Sequence, residues 1–536
     1  LGWCGKNLDA INSVLPALVL VIGVSDSIHL MLHVRAALRH GATSRAAAQS
    51  AVRACGPACL ITALTTSMGF LSLLVTPDRI IRQLGIFGAV GVWMTLGAVL
   101  LLFPLLAGGP LGTACAAVRR RAGRYPPANW PDQWLAWLLF RKTRLLTISS
   151  IGFLVLGWTT LKTRADFNFL ENLDGKSESF ATMRHMEAVF GGLPLAQILV
   201  EETTPVSIPR DRGAIPPELL RVLAEVHEAV ERNSILSAPT SLISLLASLP
   251  GEQTDLLSRV RELRLVPRTE LRRLIQPEVG RAVVTANIPD SGAALLRPHL
   301  DALDRDLRRI EARHGEYRCA VSGFAVVSTY RTAPMIMNLV TGLSLELLVI
   351  FLVIAAALRS WRLGLASLPS NLFPLVATAA TLVMVGDPLR YASALAFNIC
   401  LGIAVDDTVH FFSRFRQELA RTMDRGEALR CSFRDVAPAI VIQSVIMLSG
   451  FGTGLTSGIP TVRAFSACAC GAILFALASE LVLAPIMLAC AMGVDARETM
   501  NIASTIPCTT SEGPSGSADS ISPITSADVA RSSVTS

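Results

Sequence analysis

Nine apolar stretches of about 20 residues each divide this chain, and polar connections of unequal length separate them. A helix of about 20 residues crosses the roughly 30 Å of a bilayer's hydrocarbon core. The pattern therefore predicts a polytopic α-helical membrane protein with nine crossings. The predicted spans are residues 11–33, 55–75, 84–107, 144–162, 336–357, 363–385, 391–413, 437–457 and 464–490.

The longest polar connection, residues 163–335, has the patterning of a folded α+β domain. Period-2 alternation predicts three strands, and amphipathic patterns predict two helices between them. The predicted strands are Leu195–Glu202, Arg281–Ile288 and Tyr317–Gly323, and the predicted helices are residues 216–233 and 294–314. This alternation favours a small extracytoplasmic layer of the split βαβ type.

Two other segments outside the spans have distinct compositions. In residues 108–143, Trp134 and Trp137 stand three positions apart and are followed by Arg141. Aromatic rings beside basic side chains are typical of a helix that lies in the interface of the inner leaflet. Residues 493–536 are rich in Ser and Thr, and we expect a disordered cytoplasmic tail there.

An internal repeat relates the first three spans to the last three. An offset of 381 residues aligns them without gaps, placing Gly69 on Gly450 and Pro104 on Pro485. Duplicated bundles commonly form transporters with their working residues at the repeat interface. Since the second copy also contains the three middle spans and the α+β domain, we expect about 240 further residues upstream. The intact protein would then have twelve spans and two external domains.

The spans, the repeat and the polar segments together predict six regions. They are residues 1–107, the last three transmembrane helices of the first repeat; 108–143, a cytoplasmic or interfacial linker helix; 144–162, the first transmembrane helix of the second repeat; 163–335, the extracytoplasmic α+β domain; 336–492, a five-helix transmembrane bundle of the second repeat; and 493–536, the cytoplasmic tail.

Composition and charge agree with a membrane protein. Hydrophobic residues make up 51% of the 536 residues, and the mean hydropathy is +0.50. Basic residues follow the odd-numbered spans, as Arg39 and Arg416 do, so these loops are expected on the cytoplasmic side of the cell's inner (plasma) membrane. The net charge of +7 is therefore mainly a topology signal, and no basic stripe with interleaved aromatic residues points to nucleic acid.

Two of the spans carry a carboxylate and an imidazole three positions apart. Asp26 and His29 lie in the first span, and Asp407 and His410 lie in the seventh. This spacing puts both side chains on one helix face. Ionisable groups are costly within hydrocarbon and usually mark an ion or substrate pathway, so we expect these residues to form a proton relay. The alternative is a satisfied, purely structural hydrogen-bond network between packed helices.

Further polar residues within the spans extend this candidate site. Asp406 precedes Asp407 and is included in the predicted relay, whereas Ser25 stands at its place in the first copy. The two copies are therefore chemically unequal. Four other residues are candidates for either relay or packing, namely Thr65, Gln443, Glu346 and Glu480.

Other kinds of chemistry have no support in the sequence. It contains no G-x-x-x-x-G-K-[ST] phosphate-binding loop, no nucleophile elbow and no zinc motif. Two Asp and two His could hold a metal ion, but no further ligand pattern supports one. We therefore expect a protein that is not an enzyme, that has no metal or other cofactor, and that draws energy from an ion gradient.

The segment from Gly402 to His410, followed by Phe415-Arg416, resembles the signature of the resistance–nodulation–division (RND) superfamily, and most closely that of its MMPL-type exporters. Residues 22–29 resemble the first-half version of this motif. Residues 64–73 resemble the family's next span, and residues 190–195 resemble the start of its external porter domain. The resemblance covers about residues 5–492, in a chain expected to be incomplete at its N-terminus.

The resemblance implies an RND-type transmembrane bundle with a porter-like domain, in which Asp26 and Asp407 are the proton-coupling carboxylates. Two departures stand out. Ser27 and Thr408 follow these aspartates where many MMPL relatives have Tyr, and the membrane Lys of the superfamily's multidrug pumps is missing. Details of the relay are therefore expected to differ from both groups.

The function that the resemblance implies is export of hydrophobic or amphiphilic, lipid-like molecules driven by the proton-motive force. Its partners would be membrane lipids, the substrate and protons, with a homo-oligomer or a periplasmic protein as further candidates. Two alternatives use related folds, namely a sterol- or lipid-sensing receptor and an accessory to protein translocation. A sensor need not conserve energy, so replacing Asp407 with Asn would leave its ligand binding largely intact.

Overall fold

The computed structural model describes most of the chain. The described residues are 15–39, 41–109, 129–163, 170, 173–192, 195–203, 215–249, 259–260, 263 and 266–494. Nearly all of the predicted tail, residues 110–128 of the predicted linker and the first residues of the first predicted span lie outside these ranges.

Three long helices pack together in the first part of the chain. They are α1 (Leu15–Arg39), α2 (Ser44–Ser72) and α3 (Arg79–Gly108). Side-chain caps define where two of them begin: Thr43 accepts a hydrogen bond from the N–H of Ala46, and Asp78 accepts one from the N–H of Ile80. Each helix extends beyond its predicted span, because polar residues can continue a helix after the apolar stretch ends.

A short helix and a longer one follow, α4 (Trp130–Phe140) and α5 (Lys142–Thr160). Helix α4 coincides with the tryptophan-rich part of the predicted linker. The indole of Trp134 donates a hydrogen bond to the carbonyl oxygen of Leu481 at 2.9 Å, and the carboxylate of Asp132 lies 3.4 Å from the guanidinium of Arg434. These contacts hold α4 against the later helices.

A sheet with helices on one face occupies the middle of the chain. Its elements are α6 (Glu178–Phe190), β1 (Leu195–Glu202), α7 (Pro217–Glu231), β2 (Ser237–Thr240), α8 (Leu242–Ser248), α9 (Arg268–Leu274), β3 (Ile275–Gln276), β4 (Arg281–Asn287), α10 (Ala293–Arg313) and β5 (Tyr317–Ser322). The three predicted strands and both predicted helices are confirmed within two residues. The short β2, β3, α8 and α9 and the helix α6 were not predicted.

The strand order is β2-β4-β1-β5, all neighbours are antiparallel, and β3 also pairs with β4. Strands β1 and β2 are therefore parallel to each other, joined through α7 and separated by the inserted β4. The predicted split βαβ topology is confirmed. Ala196, Ile198 and Val200 alternate as the buried positions of β1 and pack on the apolar faces of α7 and α10.

Five more long helices follow in the described residues after the sheet. They are α11 (Phe324–Ala357), α12 (Trp361–Val385), α13 (Tyr391–Thr422), α14 (Arg425–Thr453) and α15 (Pro460–Met492). Helix α13 is central, since its apolar stretch is buried along its whole length. It packs against α2 as well as against α14 and α15, so the first group of helices and the last group form one bundle.

The two ends of this bundle can be distinguished. At the sheet end, defined by residues 73–78, 323–335, 386–390 and 454–459, β5 runs directly into α11. At the basic end, defined by residues 41–43, 358–360, 423–424 and 493–494, arginines bridge neighbouring helices. There, Arg416 donates to the carbonyl of Ala357 at 3.2 Å, and Arg425 donates to that of Met492 at 2.9 Å.

Eight of the described helices, namely α1–α3 and α11–α15, are long and apolar enough to cross a membrane. The chain is a polytopic α-helical membrane protein. The fourth predicted span, residues 144–162, coincides with α5, which has 19 residues and is not among the eight. Lys142 at its start donates to the carbonyl of Val494 at the basic end, and the carboxylate of Asp174 beyond its end lies beside Gly458 at the sheet end. Helix α5 therefore runs the height of the bundle.

Candidate functional site

Helices α1 and α13 bring the two Asp/His motifs together in the interior of the bundle. The imidazole rings of His29 and His410 are stacked, with centroids 3.9 Å apart and an interplanar angle of 4°. Nε2 of His410 lies 3.8 Å from Oδ1 of Asp26, and Nε2 of His29 lies 3.8 Å from Oδ1 of Asp407. Each carboxylate therefore contacts the imidazole of the other motif, in two crossed pairs of equal length.

Asp406 makes the site unequal on its two sides. Its Oδ1 lies 3.4 Å from Nε2 of His410, one helical turn away on the same face of α13. Its other carboxylate oxygen accepts a hydrogen bond from the hydroxyl of Ser25, which lies 381 positions earlier. His410 therefore faces two carboxylates, whereas His29 faces one. We call Asp26, His29, Asp406, Asp407 and His410 the Asp–His cluster.

The Asp–His cluster is buried and incompletely hydrogen-bonded. Its five side chains are between 4% and 9% exposed. Five of its atoms have no hydrogen-bond partner within the described part of the chain: Asp26 Oδ1, His29 Nε2, Asp406 Oδ1, Asp407 Oδ1 and His410 Nε2. A buried polar atom left without a partner costs about 1–3 kcal/mol, and more if it is charged. Five such atoms pointing at one another are not what a satisfied structural network provides.

Glu346 is a separate buried carboxylate nearer the sheet end. It lies on α11, is 1% exposed, and neither of its oxygens has a hydrogen-bond partner among the described residues. Gly69 of α2 and Gly402 of α13 leave room for it, because a Cβ atom built on Gly69 would lie 2.3 Å from Glu346 Oε1. Gly402 precedes Asp406 by one turn, about 6 Å along the helix, so the structure places Glu346 beside the Asp–His cluster and not within it.

Glu480 belongs to another polar group, on the opposite side of α13 from α2. Its carboxylate accepts a hydrogen bond from Thr408, the residue after Asp407, and one of its oxygens has no partner in the described residues. The hydroxyl of Thr408 also lies 3.2 Å from the amide oxygen of Asn371 on α12. This group extends the polar interior from α13 toward α12 and α15.

Thr65 and Gln443 are both buried, but the structure does not bring them into the Asp–His cluster through a hydrogen bond. The hydroxyl of Thr65 bonds to carbonyl oxygens of its own helix, those of Ile61 and Thr62, at 3.1 and 2.9 Å. The amide of Gln443 on α14 has no hydrogen-bond partner among the described residues. For Thr65, the contacts therefore favour packing.

Two family models match the parts of the chain that carry the Asp/His motifs. The MMPL family model matches residues 7–137, and the Patched SSD model matches residues 336–490. Both are families of the RND type, and each match contains one of the two Asp/His motifs. The chain belongs to the RND superfamily. The predicted resemblance is confirmed, and both matched families consist of transporters and receptors and not of enzymes.

One curated relative supports the membrane assignment of this RND protein. A protein of Methanocaldococcus jannaschii, described only as a predicted membrane protein, is 33% identical to it over 99 residues. The aligned part is 18% of this chain and 26% of the relative, so the chain spans about a quarter of the curated protein that it matches.

Cys59 of α2 is a neighbour of the cluster that the sequence reasoning missed. One ligand atom from each of Asp26, Cys59 and His410 lies within 4.8 Å of the others. A signal was present in the sequence, since Cys55, Cys59 and Thr62 recur at helical spacing on the span that follows the first Asp/His motif.

A cavity leads from the cluster to the basic end of the bundle, between α1, α2, α13 and α14. It encloses about 590 Å³, including its open mouth, and its inner end reaches His29 and His410. Its lining residues fall into pairs separated by 381 positions, such as His33 with Arg414 and Cys55 with Val436. The mouth is bridged by Arg414, whose guanidinium donates to the carboxylate of Asp435 at 2.7 Å.

Proposed function

We propose that this RND protein is a secondary transporter of the inner (plasma) membrane. Proton movement through the Asp–His cluster drives export of a hydrophobic or amphiphilic, lipid-like molecule. The observation that supports this proposal most strongly is the crossed pairing of Asp26 with His410 and of Asp407 with His29 around two stacked imidazoles.

The same contacts favour a duplicated bundle. Asp26 and Asp407 are equivalent under the offset of 381 residues, and so are His29 and His410. Two crossed contacts of 3.8 Å are what a pseudo-two-fold axis through the stacked rings would produce. The helix packing shows the same equivalence. Helix α1 packs on α14, and α13, the counterpart of α1, packs on α2, the counterpart of α14. We infer that α1–α3 and α13–α15 are two copies of one unit, with the Asp–His cluster at their interface.

The unpaired atoms favour a relay over a structural network. In the described part of the chain, the ion-pair partners of Asp26, Asp406 and Asp407 are imidazoles, and the hydroxyl of Ser25 donates a hydrogen bond to Asp406. A proton placed between an aspartate and the facing histidine would supply the missing bond. A group that gains bonds on protonation and loses them on release is suited to take up and release protons in turn.

Stacking couples the two halves of the site. Two positive charges 3.9 Å apart repel by about 4 kcal/mol at an effective dielectric constant of about 20. Protonation of His29 therefore opposes protonation of His410, and the crossed pairs would be occupied alternately. Because each pair joins α1 to α13, a change in occupancy alters the attraction between the two copies, which can be transmitted as a rearrangement of the bundle.

The other predicted positions have different roles in this proposal. Glu480 extends the polar interior through Thr408, and Glu346 is a carboxylate on the sheet side of the cluster. Gln443 is a buried amide that could join the relay in another conformation. We assign the sheet-containing segment to the extracytoplasmic side, as a porter-like domain that receives substrate, because the basic loops lie at the opposite end of the bundle.

Proton flux into liposomes tests the proposal. The reconstituted protein is expected to dissipate an imposed pH gradient, whereas Asp26→Asn and Asp407→Asn reduce the flux to the leak of protein-free liposomes. Asn keeps the size of the side chain but cannot carry the proton. The control is Asp387→Asn at the sheet end, where the carboxylate pairs with Arg390 outside the cluster; this variant is expected to retain the flux.

Equal flux in the protein and in all three variants would overturn the proton-relay proposal. It would leave the Asp–His cluster as a structural feature and would favour a second candidate, a lipid- or sterol-sensing receptor. The Patched SSD match over residues 336–490 is the observation in favour of that candidate. Binding of a radiolabelled lipid that is unchanged in Asp407→Asn, together with no proton flux, would support it.

A further inference from the structure

Polar residues continue from the Asp–His cluster toward the basic end along one face of α13. His410, Ser413, Arg414 and Gln417 follow one another at helical spacing and all line the cavity described above. On the facing helix α1, His29 and His33 line the same space. The cavity is large enough for several water molecules, and a site with this many polar groups can hold them.

The cavity ends at the two imidazole rings of the cluster. His29 and His410 line its inner end, while their Nε2 atoms face the aspartates, and Ser413 lies on its wall. Exposure increases toward the mouth, from the buried His410 to the exposed Gln417. Water entering from the basic end would therefore pass polar side chains as far as the two imidazole rings.

The described residues leave less room on the sheet side of the cluster. A cavity of about 200 Å³ between α2 and α13 is lined by Thr66, Gly69, Asn398 and Gly402, but it has no space for a water molecule. Thr66 closes it further by donating a hydrogen bond to the carbonyl of Gly402 at 3.2 Å. In this conformation, the route to the cluster is thus wider from the basic end than from the sheet end.

We propose that the larger cavity is a water-filled half-channel. It connects the Asp–His cluster with the side of the membrane on which residues 41–43 lie, and protons leave or enter the cluster through it. This inference rests on the proposed proton-coupled function and adds a route and an orientation. Because its lining residues come in equivalent pairs, one half-channel serves both copies of the motif.

The two walls of the mouth are formed by equivalent positions of the repeat, but the residues at these positions differ in charge. Arg414 pairs with Asp435 and Glu418 on the α13–α14 side, whereas the counterparts of Arg414 and Asp435 in the first copy are His33 and Ala54. His33 instead contacts the hydroxyl of Ser50 at 3.2 Å. The charged groups facing the half-channel are therefore fixed on one wall, so the neutral wall formed by α1 and α2 is the better place to probe access.

A native cysteine makes the half-channel testable. Cys55 of α2 lines the cavity, while Cys59, one turn deeper, is fully buried and is not part of the lining. Sealed vesicles of both orientations are treated with a small, charged, membrane-impermeant methanethiosulfonate, and labelled peptides are identified by mass spectrometry. We expect Cys55 to be labelled only when the reagent faces residues 41–43, and Cys59 to remain unlabelled. Ser413→Cys, on the opposite wall, should be labelled from the same side.

Proton flux then tests whether the half-channel is used. Labelling is expected to abolish flux in the protein and to leave it intact in Cys55→Ala. No labelling of Cys55 or at position 413 from that side, or full flux after complete labelling of Cys55, overturns the half-channel. The mass-spectrometric result does not depend on transport. If Cys55 is labelled as expected but the protein shows no proton flux, the proposed function is rejected. The half-channel would then exist but would not carry protons.

Discussion

The hydroxyl of Ser25 donates a hydrogen bond to the carboxylate of Asp406, although the two residues hold equivalent positions in the two motifs. Ser25→Ala removes this hydroxyl donor from the buried carboxylate. A buried carboxylate that loses a donor costs about 1–3 kcal/mol. We therefore expect the free energy of unfolding, measured by denaturation in detergent, to fall by about that amount.

Ser27→Ala is the matched control. Its hydroxyl donates to the carbonyl of Gly23 in its own helix at 2.6 Å, and that carbonyl lies in the hydrogen-bonded interior of α1. We expect a change within about 0.5 kcal/mol. If both serine variants unfold alike, the Ser25–Asp406 bond contributes nothing specific to the bundle.

Gly69→Ala tests the space that holds Glu346. A Cβ at this position would lie 2.3 Å from Glu346 Oε1, and the fully buried carboxylate has little room to move. Overpacking of this kind typically costs about 1–3 kcal/mol, which exceeds the gain of up to about 1 kcal/mol from replacing a helical glycine by alanine. The expected result is a net loss of stability in the same unfolding measurement.

The equivalent glycine of the second copy provides the comparison. A Cβ on Gly450 would meet its nearest neighbour, Val21 Cγ2, at 3.9 Å, an ordinary contact. Gly450→Ala should therefore be neutral or stabilising. In addition, Gly69→Ala combined with Glu346→Ala should cost less than the sum of the two single variants. Additive effects would show that the glycine does not act through Glu346.

The sequence predicted most of the architecture because apolar length and helical spacing leave a strong signal. Eight of the nine predicted spans meet the length and apolarity that a crossing requires, and the strand Leu195–Glu202 was placed at the observed residues. The short strand Ser237–Thr240 was missed because four residues containing a proline carry no periodic pattern. Its pairing with β4 depends on tertiary contacts that no local pattern encodes.

The candidate site was predictable as a set of residues but not as an arrangement. The repeat identified Asp26, His29, Asp407 and His410, yet nothing in one sequence says that each aspartate faces the histidine of the other copy. Cys59 and Asn371 lie on other helices, and their place near the cluster or near Glu480 follows from how α2 and α12 pack. Those positions became visible only in three dimensions.

His227 makes the sheet-containing segment sensitive to acid. Burial lowers the pKa of this histidine below its usual value of 6.5, and the charge of Glu231 opposes the shift. The folded segment therefore favours the neutral ring, whose Nδ1 lies 3.0 Å from the hydroxyl of Ser241, the cap of α8. This preference for the neutral ring stabilises the folded segment above about pH 6.5, and that contribution to the free energy of unfolding is lost as the pH falls below this value.

Hydrogen exchange measures this effect locally. Amides of α7 and α8 should lose protection between about pH 7.5 and about pH 5.5, after correction for intrinsic rates. His227→Gln should flatten the pH dependence, and α10 serves as an internal reference. A pH dependence that is unchanged in His227→Gln would assign the acid sensitivity to another group.

Cys319 should be nearly inert toward thiol reagents in the folded protein. Burial, and then the charge of Glu311, raise the pKa of its thiol to about 12. Only about one thiol in ten thousand is then a thiolate at about pH 8, so alkylation by iodoacetamide should be far slower than at the exposed Cys490.

Glu311→Gln keeps an acceptor for the N–H of Cys319, which bonds to Glu311 at 2.6 Å, but removes the charge. Because burial is the larger cause, this variant should speed the reaction only modestly. Equal labelling of Cys319 and Cys490 in the folded protein would show that β5 opens far more readily than its place at the edge of the sheet implies.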